Sequence, residues 1–260
     1  MIKRYYIAGN FRIGDCLGVL HLFEDKDPNI DRWIVCNEYN EQVWRFAAAR
    51  TDLHINGIMV VPGGECLGDY SQYVKWCEKI EPNLPEGEKV RFQPDANHLV
   101  NLYKYLKPIS NSINIPKPYV CIQPSSISTW KNLAVVSQVK YPYPVVCLTT
   151  QECESVDSSM IHIRHLPMSY IYTIILNCDF FVGICSAMTR FAAMLMRPTI
   201  MCHFGENFLY QGVSDIAPTS NNKLHANNLD IVTPTVEELQ HAITNFSTTG
   251  QQNAREKINQ

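Results

Sequence analysis

The sequence lacks several features that would place it in other protein classes. No run approaches the roughly 20 uninterrupted apolar residues of a membrane-spanning helix. Its 10 cysteines include no Cys-x-x-Cys pair and no zinc-finger spacing. No signal-peptide core with a cleavage site follows the first residues. We therefore expect a cytoplasmic protein without a membrane span, whose scattered cysteines are reduced and buried.

A strong charge of either sign is also absent. The chain has 22 Lys and Arg against 25 Asp and Glu, a net charge of -3, which excludes bulk attraction to nucleic-acid phosphates or anionic membranes. The Gly-x-Gly-x-x-Gly loop of a dehydrogenase is missing, because Gly9-Asn-Phe-Arg-Ile-Gly14 follows the first apolar run. The only Asp-x-Asp triplet, Asp25-Lys-Asp27, lies in a polar turn, so we expect no metal site there.

Short apolar runs alternate with helical stretches along the chain. Their lack of strict two-residue alternation is typical of strands buried on both faces of a parallel sheet. The alternation predicts an α/β protein with doubly wound sheets. The predicted strands are Tyr5–Ala8, Trp33–Cys36, Gly57–Val61, Tyr119–Gln123, Val145–Leu148, Met160–Ile163, Phe180–Val182 and Thr199–His203. The predicted helices are about Asp15–Phe23, Asn40–Arg50, Tyr70–Lys79, Met168–Asn177 and Ala187–Met196.

The alternation is interrupted once, between Leu106 and Pro118. This stretch is rich in Pro, Ser and Asn and has no helical periodicity, which indicates a linker. We therefore predict two domains, residues 1–112 and 113–260, each large enough for a small Rossmann-like fold. Nothing in the sequence indicates an oligomeric state.

The segment from residue 177 to residue 198 is the most informative. An apolar strand ends at Gly183, and Ser186 occupies the N-cap position of the next helix. Free N–H groups and the positive end of the helix dipole near Ser186 and Ala187 favour an anion, such as a diphosphate. Arg190, one turn further on, would add a positive charge. The alternative is that Ser186 only caps a core helix and that Arg190 is solvated.

This segment resembles the C-terminal signature of the ADP-heptose lipopolysaccharide heptosyltransferase family. The positions in register are Gly183, Ser186, Ala192, Ala193, Pro198 and Phe204-Gly205. The departures are Ile184 for the family's Asn, Cys185 for its acidic residue, Ala187 for its second Gly and Arg190 for its His. The resemblance implies a GT-B fold, with two Rossmann-like domains facing across a cleft and a nucleotide sugar bound mainly by the second. The departures imply different contacts to the donor.

A second segment, residues 10–20, resembles the family's Arg-x-Gly-Asp loop after the first strand. The resemblance implies that Asp15 is the catalytic base, which takes the proton of an acceptor hydroxyl. Arg12 supports the loop or contacts a phosphate. The alternative for Asp15 is a helix N-cap.

A third segment, residues 120–133, resembles the opening of the family's C-terminal domain. Ser125 and Ser126 are candidate phosphate donors, and Lys131 is a candidate cation for the leaving diphosphate. The alternative is a polar loop with an exposed lysine. Glu152 and Glu154 follow another strand and are candidate ribose ligands, with loop solvation as the alternative.

The function implied is an inverting, metal-independent glycosyltransferase that needs no cofactor besides its nucleoside-diphosphate-sugar donor. A cell-surface glycan is the family's default acceptor. One alternative is glycosylation of a hydroxymethylated base in phage DNA, which needs a basic approach surface. A second is a non-catalytic nucleotide-sugar-binding protein of the same fold. Candidate basic residues for DNA are Lys3, Arg4, Arg12, Arg45 and Arg50.

Overall fold

The computed structural model divides the chain into two compact units, Met1–Ser110 and Asn111–Gln260. It describes residues 2–9, 13–62, 70–91, 99–107, 114–125, 134–149, 159–164, 166–204 and 228–246, with only the backbone for residues 13–15 and 70. No helix in these ranges is both long enough and apolar enough to cross a bilayer.

Unit 1 is a four-stranded parallel sheet with helices in the connections. The strand order is β3-β2-β1-β4, and Tyr6 of β1 lies opposite Trp33 of β2. Its elements are β1 (Lys3–Ala8), α1 (Ile13–Val19), a 3-10 turn (Leu20–Phe23), β2 (Ile30–Cys36), α2 (Glu38–Arg50), β3 (Gly57–Val60), α3 (Tyr70–Ile80), a 3-10 turn (Glu81–Asn83), β4 (Glu88–Val90) and a 3-10 turn (Leu102–Tyr105).

Unit 2 is a six-stranded sheet, also parallel throughout, with the order β10-β9-β8-β5-β6-β7. Its elements are β5 (Val120–Gln123), α4 (Val135–Gln138), β6 (Val145–Leu148), β7 (Ile161–Ile163), α5 (Met168–Asn177), β8 (Phe180–Ile184), α6 (Ala187–Met194), β9 (Thr199–His203), β10 (Leu229–Val232) and α7 (236–246).

The central strands of unit 2 form its core. Every residue of β5, β8 and β9 is buried, whereas the edge strands β7 and β10 are partly exposed. Parallel strands covered on both faces cannot alternate apolar and polar residues, which explains their continuous apolar sequence. Leu239 and Ile243 of α7 pack on this core from one helix face.

The strand order of unit 2 reverses between β5 and β8. From β5 the chain continues through β6 to β7 at one edge of the sheet. It then returns to the other side of β5, where β8, β9 and β10 follow in order to the opposite edge. Connections then leave β5 and β8 in opposite directions, which opens a crevice at the carboxyl ends of these two strands. Ligands of doubly wound sheets bind at such a reversal point.

The predicted α/β class with parallel sheets is confirmed, and each predicted strand and helix corresponds to an observed element. Two observed boundaries, the end of β8 and the end of α6, differ from the predicted ones. The strand β8 continues to Ile184 rather than ending before Gly183. The helix α6 ends at Met194 rather than Met196, because Met196 adopts a positive φ of 60°. Two backbone bonds, from Met196 N to Ala193 O at 2.9 Å and from Arg197 N to Ala192 O at 3.0 Å, close the helix there.

The prediction missed β4, β10, α4 and α7. Two of the three residues in β4 are charged, and Asp230 interrupts the apolar run of β10, so neither has the pattern of a buried strand. The four-residue helix α4 is too short for a helical period. Only α7 had a usable signal, the Leu239 and Ile243 pair at i and i+4. The described cysteines are buried thiols outside any disulfide, as the sequence predicts.

Candidate functional site

A hydrogen bond joins the two strands that flank the reversal point of unit 2. Gln123 is the last residue of β5 and lies opposite Gly183 of β8. Ser186, just beyond β8, donates its hydroxyl to Gln123 Oε1. The Gln123 side chain is buried, so this bond satisfies a polar group that would otherwise be costly to enclose. It also fixes the β8–α6 turn against the end of β5.

Ser186 is the N-cap residue of α6, as predicted, but its side chain does not cap the helix. Its backbone is extended, with φ -148° and ψ 172°, and its side chain makes no capping hydrogen bond. The hydroxyl is directed to Gln123 and lies 3.4 Å from Thr189 Oγ1. The first N–H groups of an α-helix have no partner inside the helix. Because Ser186 caps none of them, this end of α6 is suited to an external anion.

Gly183 occupies a position with no room for a side chain. A Cβ there would contact Thr189 Oγ1, come within 2.8 Å of the Phe181 ring and within 3.3 Å of Gln123 Cβ. Thr189 is itself fixed, since its hydroxyl donates to Ile184 O at 2.6 Å. The glycine therefore allows α6 to pack closely on β8, which brings the helix start to the reversal point.

Ser125 and Arg190 are both buried. Ser125 lies just after β5, and its hydroxyl is 3.3 Å from that of Thr149, which follows β6. The alternative of a solvated Arg190 does not hold, because this residue is 5% exposed. A buried guanidinium keeps its charge, which then lies in a region of low dielectric constant. The Arg190 backbone N–H donates to Ser186 O at 3.2 Å, so the residue lies one turn into α6.

A buried pair that the sequence analysis missed lies beside this turn. His203 ends β9, and its Nε2 is 2.6 Å from Asp230 Oδ1 of β10. The side chains are 0% and 6% exposed. Burial lowers the pKa of His203, but hydrogen bonds to Asp230 and Cys185 outweigh it and raise this pKa from 6.5 to about 9. This pair was hard to predict from the sequence, because Asp230 belongs to a strand without a continuous apolar run.

The Cys185 thiol occupies the family's acidic position and is buried beside the imidazole of His203. Its backbone N–H donates to Cys202 O at 2.9 Å, which continues the pairing of β8 with β9. Side chains at 184 and 185 therefore belong to the core of unit 2. Ser186, Ala187 and Met188 are partly exposed and lie at the surface where α6 begins.

In unit 1 the carboxyl end of β1 is held by two aromatic side chains. Tyr73 OH donates to Ala8 O at 3.1 Å, and Trp44 Nε1 donates to Gly9 O at 3.0 Å. The helix α1 begins at Ile13, and Asp15 is inside its first turn. The alternative reading of Asp15 as the N-cap is wrong, because the N-cap precedes the first helical residue.

Several predicted site residues lie outside the described residues. They are Arg12, Ser126, Lys131, Glu152 and Glu154. Within the described ranges, no group of three or more His, Cys, Asp or Glu side chains is placed to hold a metal ion. Asp25 of the Asp-x-Asp triplet pairs with Arg32 at 2.8 Å, and Asp27 accepts the Asn29 backbone N–H at 2.9 Å. Both carboxylates thus have structural partners in a surface turn.

The basic residues considered for a DNA approach are mostly paired with acids. Lys3 Nζ lies 2.8 Å from Glu88, Arg4 Nε 2.7 Å from Asp31, and Arg45 Nε 2.5 Å from Glu41. Lys3 and Arg4 are also at the amino end of β1, the opposite end of the sheet from α1. Their positive charge is therefore largely compensated, which disfavours a phosphate-binding surface built from them.

No family model and no curated protein matches the sequence. Solved structures do match it, and they define the chain as a protein of the GT-B fold. It is similar to heptosyltransferase WaaC of E. coli, solved with ADP, at a TM-score of 0.57 and 11% identity over 95% of this chain and 99% of that chain. A family 9 glycosyl transferase from Veillonella parvula matches at a TM-score of 0.56 and 12% identity, over 94% and 90% of the two chains.

E. coli ADP-heptose lps heptosyltransferase II is a third match, with a TM-score of 0.54 and 9% identity over 95% of this chain and 99% of that chain. The fold implied by the sequence motifs is therefore confirmed. Identities of this size establish the fold alone.

Replacing Gly183 with Ala should destabilise the protein by about 1–3 kcal/mol, because the new methyl group overlaps Thr189 and the Phe181 ring. Urea denaturation followed by circular dichroism measures the change. Lys75→Ala, at an exposed position of α3, is the control and should leave the urea midpoint unchanged. An unchanged urea midpoint for Gly183→Ala would contradict the close packing of α6 on β8.

The stability of the protein should fall as the pH is raised from 6.5 to 9. The pKa of His203 is higher in the folded state than in the unfolded state, so its stabilising effect is complete below 6.5 and is lost as the pH passes through about 9. The loss should be at most about 3 kcal/mol in the free energy of unfolding. Asp230→Asn should flatten this part of the profile, measured by urea denaturation at fixed ionic strength. An equal slope in both proteins would show that the pair is not the cause.

Proposed function

We propose that this chain is an inverting, metal-independent glycosyltransferase that transfers a sugar from a nucleoside-diphosphate sugar to an acceptor hydroxyl. The observation that carries the proposal is the reversal point of unit 2, where the uncapped start of α6 is fixed by the hydrogen bond between Ser186 and Gln123. It is the position at which doubly wound sheets bind nucleotide phosphates. The GT-B fold of the chain supports the same function.

The proposed donor-binding surface consists of the N–H groups at the start of α6 and the side chains around them. Ser186 and Ala187 lie at the surface of the turn, Gly183 allows the close approach of α6, and Arg190 contributes positive charge from inside unit 2. The sequence motifs add Ser125, Ser126 and Lys131 as phosphate contacts and Glu152 or Glu154 as ribose contacts. An adenine nucleotide is the first ligand to test, because one matched structure contains ADP and another is of an ADP-heptose transferase.

In the proposed mechanism, Asp15 takes the proton of the acceptor hydroxyl as its oxygen attacks the anomeric carbon. The bond from that carbon to the diphosphate oxygen breaks, and the configuration inverts. The charge that develops on the diphosphate is stabilised by the α6 dipole and by fixed cations, so no metal ion is needed for this step. Arg12 would support the Asp15 loop or contact a phosphate.

Sugar recognition must differ from that of the family. At the family's acidic position the chain has Cys185, which is buried against His203 and is therefore withdrawn from a ligand at the surface. Arg190, at the family's His position, is buried as well. We propose a cell-surface glycan as the acceptor, by analogy with the lipopolysaccharide enzyme among the matches. The pairing of Lys3, Arg4 and Arg45 with acids favours a glycan over modified DNA.

A thermal-shift screen against nucleoside diphosphates and their sugars tests the donor site. The cognate ligand at about 100 times its Kd should stabilise the protein by about 2.7 kcal/mol, a shift of several degrees in Tm. Ala187→Glu should abolish the shift, because its carboxylate repels the diphosphate. The same carboxylate is favourable at a helix N-terminus, so the fold is retained.

Ala187→Gln is the matched neutral control and should keep most of the shift. A protein that none of the nucleotides stabilises would contradict the proposed function. Binding without release of nucleoside diphosphate, for any acceptor tested, would instead favour the non-catalytic alternative.

Asp15→Asn should reduce sugar transfer by about 100-fold to 10,000-fold while leaving the donor Kd unchanged, because it removes the base without altering the donor site. The measurement is release of nucleoside diphosphate from the donor found in the screen. Asp52→Asn is the control, since this exposed carboxylate lies in the same unit and its ion-pair partner, Lys107 Nζ, is 3.9 Å away. Near-normal turnover of Asp15→Asn would remove Asp15 from the role of base.

A further inference from the structure

A buried polar group of three residues lies across three neighbouring strands of the sheet in unit 2. Cys185 follows β8, His203 ends β9, and Asp230 lies in β10. Cys185 and His203 are 1% and 0% exposed, and the Asp230 side chain is 6% exposed. The proposed transfer chemistry uses none of the three. Enclosing an imidazole and a carboxylate is costly, so their presence needs a physical reason.

The geometry of the group is fixed by the sheet. His203 Nε2 and Asp230 Oδ1 are 2.6 Å apart, and backbone bonds from Cys185 N to Cys202 O and from Thr233 N to His203 O, at 2.9 and 2.8 Å, hold the strand ends together. The other ring nitrogen, His203 Nδ1, is buried and has no hydrogen-bond partner among the described residues. The imidazole is thus tied to the carboxylate on one side, with the thiol of Cys185 close by.

Two common roles for such a group do not fit. A nucleophilic thiol must reach its substrate, and Cys185 is enclosed. A metal site needs three or more ligands placed together, and the described part of the chain contains no such cluster. A third role, an electrostatic one, follows from the direction of the pair.

The sheet order gives the pair a direction. The strands lie in the order β10-β9-β8, so the carboxylate of Asp230 is farther from β8 and the imidazole of His203 is nearer to it. The contact on that nearer side is Cys185, the residue immediately before Ser186, the N-cap of α6. The protonated pair therefore has its positive end towards the helix start, where it adds to the positive end of the α6 dipole.

We propose that His203, paired with Asp230, is a positioning residue of the anion site: the imidazolium end of this buried ion pair lies behind the start of α6, and the pair supports the Cys185–Ser186 turn. The inference rests on the proposed function, because it assigns this charge to the binding of a donor's diphosphate. It goes beyond that function in naming two residues that do not touch the ligand and a dependence of affinity on their protonation.

Two other ionisable groups near the pair, Cys202 and Arg190, keep their charge state in the relevant pH range. Burial and the nearby Asp230 carboxylate raise the pKa of Cys202 in β9 to about 12, so this thiol stays neutral. The helix α6, which packs on β9, carries Arg190, whose guanidinium is always charged. The pKa of His203 itself is raised to about 9, so the imidazole is protonated at neutral pH.

The experiment measures the affinity of the full chain for ADP and for inorganic pyrophosphate by calorimetry at pH 5.5, 7.5 and 9.5. His203→Gln keeps a donor towards Asp230 but removes the charge, and it should weaken both ligands about ten-fold at pH 7.5. Asp230→Asn should weaken them similarly at pH 7.5 and recover in part at pH 5.5, because the unpaired imidazole, whose pKa burial lowers, regains its proton only at low pH. His241→Gln, at an exposed histidine of α7, is the control and should match the wild type.

Recovery of Asp230→Asn at low pH distinguishes charge from structure, because a variant that only loosened the fold would not recover. The His203→Gln protein corrects for protonation of the ligands themselves. NMR of ¹³C-labelled histidine should show the His203 imidazole titrating near pH 9 in the wild type and at a much lower pH in Asp230→Asn, where burial lowers its pKa without the opposing carboxylate.

The outcomes separate this inference from the proposed function. Wild-type protein that binds ADP or pyrophosphate with the same affinity and pH profile as both variants would overturn the role of His203 alone. Wild-type protein that binds neither ligand would overturn both. If His203→Gln fails to fold, the pH recovery of Asp230→Asn and the NMR titration decide the matter, and a flat affinity profile with a wild-type His203 titration would overturn the inference.

Discussion

The close approach of β5 and β8 is the constraint on which the rest of unit 2 depends. These two strands are neighbours, but the chain leaves them in opposite directions, and this reversal places a crevice at their carboxyl ends. Gly183 allows α6 to pack against β8, and the hydrogen bond from Ser186 to Gln123 fixes the turn above the crevice. Parallel strands direct all their carboxyl ends to this edge, so the polar residues of the site collect there.

Charge in unit 2 is placed inside rather than at the surface. Arg190 is buried within α6, and the His203–Asp230 pair is enclosed between the ends of β9 and β10. Buried charges seldom increase stability, since the loss of hydration offsets most of the attraction between them. Near an anion site they act through a low dielectric, where a fixed charge has more effect than a solvated one. Cys185, at the position where the heptosyltransferase motif has an acidic residue, is a buried thiol, so the proposed donor site lacks that carboxylate.

Unit 1 is built on the same plan, with a smaller sheet. Its strand order also reverses beside β1, and the end of that strand is held by Trp44 and Tyr73 through bonds to consecutive carbonyl groups. The helix α1 begins a few residues later and has Asp15 in its first turn. The backbone thus places an acidic residue in the helix that follows the first strand. The proposed base for the acceptor hydroxyl needs this position.

The sequence by itself determined the fold class, the central strands and the position of Ser186 before a helix, because these depend on local composition and on turns between neighbouring residues. It could not determine which strand ends meet. Ser186 and Gln123 are 63 positions apart, and His203 and Asp230 are 27 apart, so only the order of strands in the sheet brings each pair together. The burial of Arg190 also depends on tertiary structure. It requires α6 to pack closely on β8, and Gly183 allows this packing because it has no side chain.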